Sequence, residues 1–262
     1  MPYSTLTKRI EFSASHRYSH DAWDEVTNRQ VFGPCFQEHG HNYLLEVTLG
    51  GQVDEVTGMI INLYDLKHIV TDVLEEFDHK HLNLDTPYFV NTVPTTENIA
   101  RVLWNKFSHR SDTRNVSKVK LSEGEDLWAE IVAPRADSPF DSSDQPTEAS
   151  VSRRYYFSVL SQKRTGQPQG WHLTLTATVN GSIDPMTGRV TDIAILDDLV
   201  LQHVTKPFDG KELTQDPTFR QQPMTLGNLL RSIWPRLAPL SGGTLERLTL
   251  QDQFQTIVEY SG

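Results

Sequence analysis

Three histidines and the chain's single thiol fall close together near its start. His16 lies in Phe12-Ser13-Ala14-Ser15-His16-Arg17, and Cys35, His39 and His41 lie in Cys35-Phe36-Gln37-Glu38-His39-Gly40-His41-Asn42-Tyr43. His39 and His41, two apart at the start of an expected strand, project from one face and can grip one ion. His16 can add a third nitrogen from a neighbouring strand. Three protein nitrogens around zinc leave a fourth position open, which a catalytic ion needs and a structural one avoids. Any one of these histidines alone is best read as an ordinary core or surface residue. The His-Gly-His pair, the third histidine and the nearby thiol together point to a zinc site.

Composition narrows the class. The chain has 262 residues with a hydrophobic share of 37%, enough for one large or two ordinary domains. Its formal net charge is −10 and its basic residues form no long run, so no nucleic-acid partner is expected. The start lacks the apolar run of a secretory signal and no segment reaches bilayer length, so a cytoplasmic protein without membrane contact is expected. One cysteine excludes an intramolecular disulfide, leaving Cys35 as packing filler or as a reactive thiol. Eight of the ten histidines precede residue 110, so metal chemistry belongs to the first half.

Those residues need a scaffold, and the chain repeats one. A stretch crowded with Pro, Ser and Asp reads as a linker over 134–152, between domains at 1–133 and 153–262. With a shift of about 130 positions, Val47–Gly58 finds its echo in Ala177–Gly188, Leu63–Val70 in Ile193–Val200, and Asn98–Trp104 in Asn228–Trp234. Each half runs strand, strand, helix, helix, strand, strand. The alternating strands predict an antiparallel sheet with two helices on one face, an α+β unit in tandem. Thr95 or Thr96 with Glu97 predicts a helix N-cap.

The first half resembles the 6-pyruvoyltetrahydropterin synthase family, which includes the bacterial 6-carboxytetrahydropterin synthases of the queuosine pathway. The resemblance covers nearly all of residues 5 to 133. Besides the histidine and thiol segments it rests on Thr57–Lys67, on Phe77-Asp78-His79-Lys80-His81-Leu82-Asn83, on Pro94-Thr95-Thr96-Glu97-Asn98 and on Val119-Lys120-Leu121-Ser122-Glu123. It implies tandem T-fold domains, each a four-stranded antiparallel sheet with two helices, that assemble into rings with active sites at subunit boundaries. It implies zinc on His16, His39 and His41, a proton-moving thiol at Cys35, and Asp78 and His79 as its relay partners. By the same resemblance Glu123 anchors a pterin ring, and Thr95, Thr96 and Glu97 line its pocket.

The implied substrate is dihydroneopterin triphosphate. The three residues between Cys35 and His39 resemble the 6-carboxytetrahydropterin synthase pattern, whereas Thr86-Pro87-Tyr88-Phe89 and Pro94–Asn98 look closer to the 6-pyruvoyl enzymes. A non-catalytic pterin-binding or scaffold protein is the alternative of another class; intact Cys35, Asp78 and His79 argue against it. In the second half Ser161, Gln169 and Trp171 fall opposite the three histidines and Asp209-Gly210 opposite Asp78-His79, so that repeat is expected to be non-catalytic. Asp252 falls near the place of Glu123. A homo-oligomer follows, a trimer of this chain imitating a hexamer of single-domain subunits.

Overall fold

The computed structural model describes residues 3–113, 115–133, 146–162, 168–219, 222–240 and 242–262. Two compact units emerge: Met1–Ala149 with Ser182–Arg189, and Ser150–Gly181 with Val190–Gly262. Of the expected linker, 134–145 lies outside the described residues, and its last positions, from Glu148, already belong to a strand.

The first unit carries β1 (Tyr3–His16), α1 (Glu25–Phe32), β2 (His39–Gln52), α2 (Leu63–Leu74), β3 (Lys80–His81), α3 (Leu82–Asp85), α4 (Thr96–Ser108), β4 (Val116–Ser122) and β5 (Leu127–Val132). Its four long strands pair antiparallel in the order β5-β4-β2-β1, and the two-residue β3 runs parallel to β1. The alternation read from the sequence is physical: Tyr43, Leu45, Val47 and Leu49 of β2 all point into the core and are fully buried. α2 packs on β1, and α4 packs on β4 and β5. Leu66, Ile69, Val70 and Val73 supply the buried stripe of α2, and Ile99, Ala100, Leu103, Trp104 and Phe107 that of α4. Each such leucine contributes about 2 kcal/mol through the apolar surface it removes from water.

The second unit contains β6 (Glu148–Gln162, entering from the first unit), β7 (Pro168–Ser182), α5 (Ile193–Val200), α6 (Lys206–Phe208), β8 (Lys211–Glu212), α7 (Leu226–Leu237), β9 (Thr244–Asp252) and β10 (Ile257–Tyr260). Its strand order is β10-β9-β7-β6, with β8 parallel to β6. The β2–β4 register slips between Thr48 and Leu49, and the β7–β9 register slips between Thr178 and Val179, which sets the offset of the repeats there at 130. Further on, Asp78 and Asp209 make the same contact, an offset of 131. A π-type turn over Leu201–Thr205, between α5 and α6, takes up the extra residue. Among the described residues no helix is long and apolar enough to cross a membrane.

Candidate active site

The β1–β2 register sets His16 directly across from His39, and His41 follows two residues along β2. One ring nitrogen from each of His16, His39 and His41 lies within 4.8 Å of the others. Two rings are held by their far nitrogens. His16 Nδ1 donates to the Pro94 carbonyl and His39 Nδ1 to the Gln37 carbonyl, both at 2.7 Å. A carbonyl only accepts, so each ring keeps its lone pair on Nε2. His41 Nε2 is buried and has no hydrogen-bond partner among the described residues, an arrangement proteins seldom leave unanswered. Burial first, and then the neighbouring His39, lower the pKa of His16 to about 3, and burial lowers that of His41 despite the Glu123 carboxylate. Neutral imidazoles with aimed lone pairs fit a metal ion, so the cluster could hold one.

A carboxylate pocket adjoins the cluster. Glu123, just past β4, receives the Tyr18 hydroxyl at 3.2 Å and the Thr96 hydroxyl at 2.5 Å, both on Oε1. Its second oxygen takes no hydrogen bond from the described residues and is left to receive N–H donors of a ligand. Thr95 is the N-cap of α4, accepting from the Asn98 N–H at 3.2 Å, and Thr95, Thr96 and Glu97 are all buried. Burial, followed by the Glu123 and Glu97 carboxylates, pushes Tyr18 well above the ordinary tyrosine range, so it stays a donor.

Cys35 sits in the 3₁₀ turn Gly33–Phe36 that follows α1. Its carbonyl accepts from the Tyr18 N–H at 2.8 Å, and its side chain packs against the cluster of Tyr18, Phe32 and Val93. Asp78 and His79 lie elsewhere, four residues past the end of α2 rather than in its last turn. His79 Nδ1 is 2.9 Å from Asp78 Oδ2, and the His79 side chain is 82% exposed. His79 borders a groove of about 400 Å³ lined also by Ser13, Asn42, His41 and Lys80, and Cys35 is not in that lining. Within this chain, then, the histidine triad is assembled and Glu123 is joined by Thr96, while the Asp78–His79 pair is intact and His79 lines a groove with His41.

Sequence reading passed over Tyr18, which holds Glu123, and Tyr43, whose hydroxyl lies 3.2 Å from His16 Nε2. Both stand two residues beyond a ligand histidine, so strand periodicity offered the signal. In the second unit the Trp171 indole donates to the Ser161 hydroxyl at 2.9 Å where the first unit has two histidines. Asp252 spends its Oδ1 on the N–H groups of Phe254 and Thr256, capping a turn instead of facing a ring.

One protein family resembles each half of the chain. A model of the 6-pyruvoyl tetrahydropterin synthase family matches residues 5–134 and again 151–262. The human 6-pyruvoyl tetrahydrobiopterin synthase is 40% identical over 121 residues, 45% of this chain and 83% of that one. A putative 6-carboxy-5,6,7,8-tetrahydropterin synthase of Archaeoglobus fulgidus is 39% identical over 97 residues, 37% of this chain and 77% of that one. The solved structure of Caenorhabditis elegans 6-pyruvoyl tetrahydropterin synthase shares 34% identity over 51% of this chain and 98% of its own, with a TM-score of 0.49. Matched over both of its segments, this chain belongs to the 6-pyruvoyl tetrahydropterin synthase family and carries the family's T-fold in tandem.

Proposed function

We propose that the first unit is a zinc-dependent lyase acting on 7,8-dihydroneopterin triphosphate. The observation that carries this reading is the trio His16, His39 and His41, two of them oriented by backbone carbonyls, beside the half-buried Glu123 carboxylate. Zinc held by these three rings would supply Lewis acidity toward the vicinal side-chain hydroxyls of the substrate. Glu123 accepts paired hydrogen bonds from the 2-amino-pyrimidinone edge, with Tyr18 and Thr96 fixing its carboxylate. Cys35 takes and returns a carbon-bound proton, and His79, oriented by Asp78, is the second acid/base group. Thr95 and Glu97 complete the pocket wall.

An 82% exposed relay histidine, in a groove whose lining does not include Cys35, suits a site shared between copies. The assembly that answers this is a homo-oligomer in which the second unit fills alternate ring positions, three chains standing in for six single-domain subunits, in the cytoplasm. A stable monomer in solution would remove that part of the reading.

The three-residue gap between Cys35 and His39 supports 6-carboxy-5,6,7,8-tetrahydropterin as product, with loss of triphosphate and acetaldehyde. A second reading, the 6-pyruvoyl product, is favoured by the 40% identity to the human 6-pyruvoyl tetrahydrobiopterin synthase. Incubating the full chain with dihydroneopterin triphosphate and weighing the product decides between them. Acetaldehyde with a carboxy product supports the first, a pyruvoyl product without acetaldehyde supports the second, and binding without turnover leaves only a pterin-binding protein.

A further inference from the structure

The loop Ser182–Arg189 is encoded in the second repeat, yet it clusters with the first compact unit. Its backbone meets α4 directly: the Thr95 hydroxyl donates to the Gly188 carbonyl at 2.5 Å. Gly188 has φ of 72°, and a Cβ there would stand 2.4 Å from Asn98 Nδ2, so both conformation and space demand glycine.

Arg189 reaches the thiol's own support. Its guanidinium lies 5.1 Å from the ring centre of Phe32 and 5.5 Å from that of Tyr18, and Nη1 donates to the Val31 carbonyl at 3.2 Å. Val31 and Phe32 end α1, and the turn bearing Cys35 follows at once. Tyr18 holds that turn through the Cys35 carbonyl and holds Glu123 through its hydroxyl. One planar cation thus braces both sides of the thiol, at a helix C-terminus where positive charge is favoured.

The turn itself does not call for an arginine. In the first repeat the same turn, closed by Asp54 N–H to Met59 carbonyl at 3.0 Å as Asp184 N–H to Arg189 carbonyl is at 2.9 Å, ends in methionine, and Met59 is 47% exposed.

We propose that Arg189 is a positioning residue for Cys35, so that the second repeat, which has lost its own metal ligands, supplies part of the first repeat's working site. This rests on the reading of Cys35 as the reactive thiol. Other charged and titratable groups facing this cluster include Glu97 and Glu123, both acting on Tyr18, Arg17 and Arg29, whose guanidinium groups lie 5.9 and 5.1 Å from the Phe36 ring centre, His16 and His39, whose rings lie 5.3 and 6.0 Å from that of Tyr18, and His20, 4.8 Å from the Trp23 ring.

Because Cys35 is the chain's single thiol, its reaction with iodoacetamide can be followed against pH in the full-length protein without any substrate. In Arg189→Met, the residue of the matching position in the first repeat, the midpoint of that profile is expected to rise by about one pH unit, since a nearby cation favours the thiolate. Arg189→Lys, which keeps the charge but not the planar fork, should recover part of the shift. Merely opening the cluster would hydrate the thiolate and move the midpoint down, the opposite of the shift expected from losing the cation. An unmoved midpoint in folded Arg189→Met overturns the proposal. If that variant does not fold, an Arg189→Lys profile identical to wild type in midpoint and rate overturns it instead. A shifted midpoint in a protein that never turns over dihydroneopterin triphosphate would support the brace while rejecting the lyase reading.

Discussion

Asp78 accepts the backbone N–H of Ser13 at 2.9 Å through Oδ1 while its other oxygen faces His79. The second unit repeats the first half of this device, Asp209 accepting from Ser158 N–H at 2.7 Å, but replaces the histidine with Gly210. Each following residue has positive φ, 58° at His79 and 69° at Gly210, and donates its own N–H back to the same serine's carbonyl. The carboxylate therefore has a structural duty that survives without chemistry. The imidazole does not, and it occupies a conformation glycine adopts at lower cost.

From this, Asp209→Ala is expected to lower stability by about 1 kcal/mol through the loss of its hydrogen bond, with turnover unchanged. His79→Gly is expected to stay within about 1 kcal/mol of wild type while losing about a hundredfold or more in turnover. Urea unfolding and steady-state rates measure the two, and a fully active His79→Gly chain removes the relay role.

Metal content should be one ion per chain, because Ser161, Gln169 and Trp171 stand where the second unit would need ligands. Elemental analysis after mild purification reads this directly. His41→Ala should empty the site, whereas His172→Ala should leave it filled; two ions per chain would contradict the degenerate second repeat.

Cys35→Ala is expected to abolish product formation with the metal retained, since the thiol carries no place in the histidine trio. An active variant ends its assignment as the proton carrier. A variant that loses both activity and metal would place the thiol among the ligands.

The turn that presents Arg189 has its own pH signature. The backbone N–H of Thr187 first, then its side chain and the Met186 N–H, hold the Asp184 carboxyl below the usual range against the opposing effect of burial. A depressed folded pKa means the stabilisation is complete above the unfolded value and is lost as pH falls through the folded one. Asp184→Asn should thus be less stable than wild type at neutral pH, with the gap closing as pH drops below about 4. A gap that is constant from neutral to pH 3 would show that the charge plays no part.

Much of the site was legible because strand geometry is local. A period of two fixes His39 and His41 on one face wherever the strand lies, and the repeat offset alone located Trp171 opposite His41. The shared Asp-Pro/Glu-x-Thr-Gly turns were equally plain, since Asp54 and Asp184 cap them with the same bonds. Spacing could not show that His79 lines a groove with His41, because that depends on which side of β1 the turn after α2 returns to. Nor could it reveal the π-type turn, which absorbs one residue without changing the pattern on either side.

By itself the amino-acid sequence determined the residue types, the strand that pairs the histidines and the duplication of the unit, all consequences of short-range backbone periodicity. Only the tertiary structure decided which ring nitrogen His16 keeps free, through the carbonyl of Pro94, 78 positions away. It also decided that Arg189, more than 150 positions after Cys35, braces the helix before it. Such choices arise from packing between segments far apart in the chain, and packing at that separation leaves no regular spacing to read.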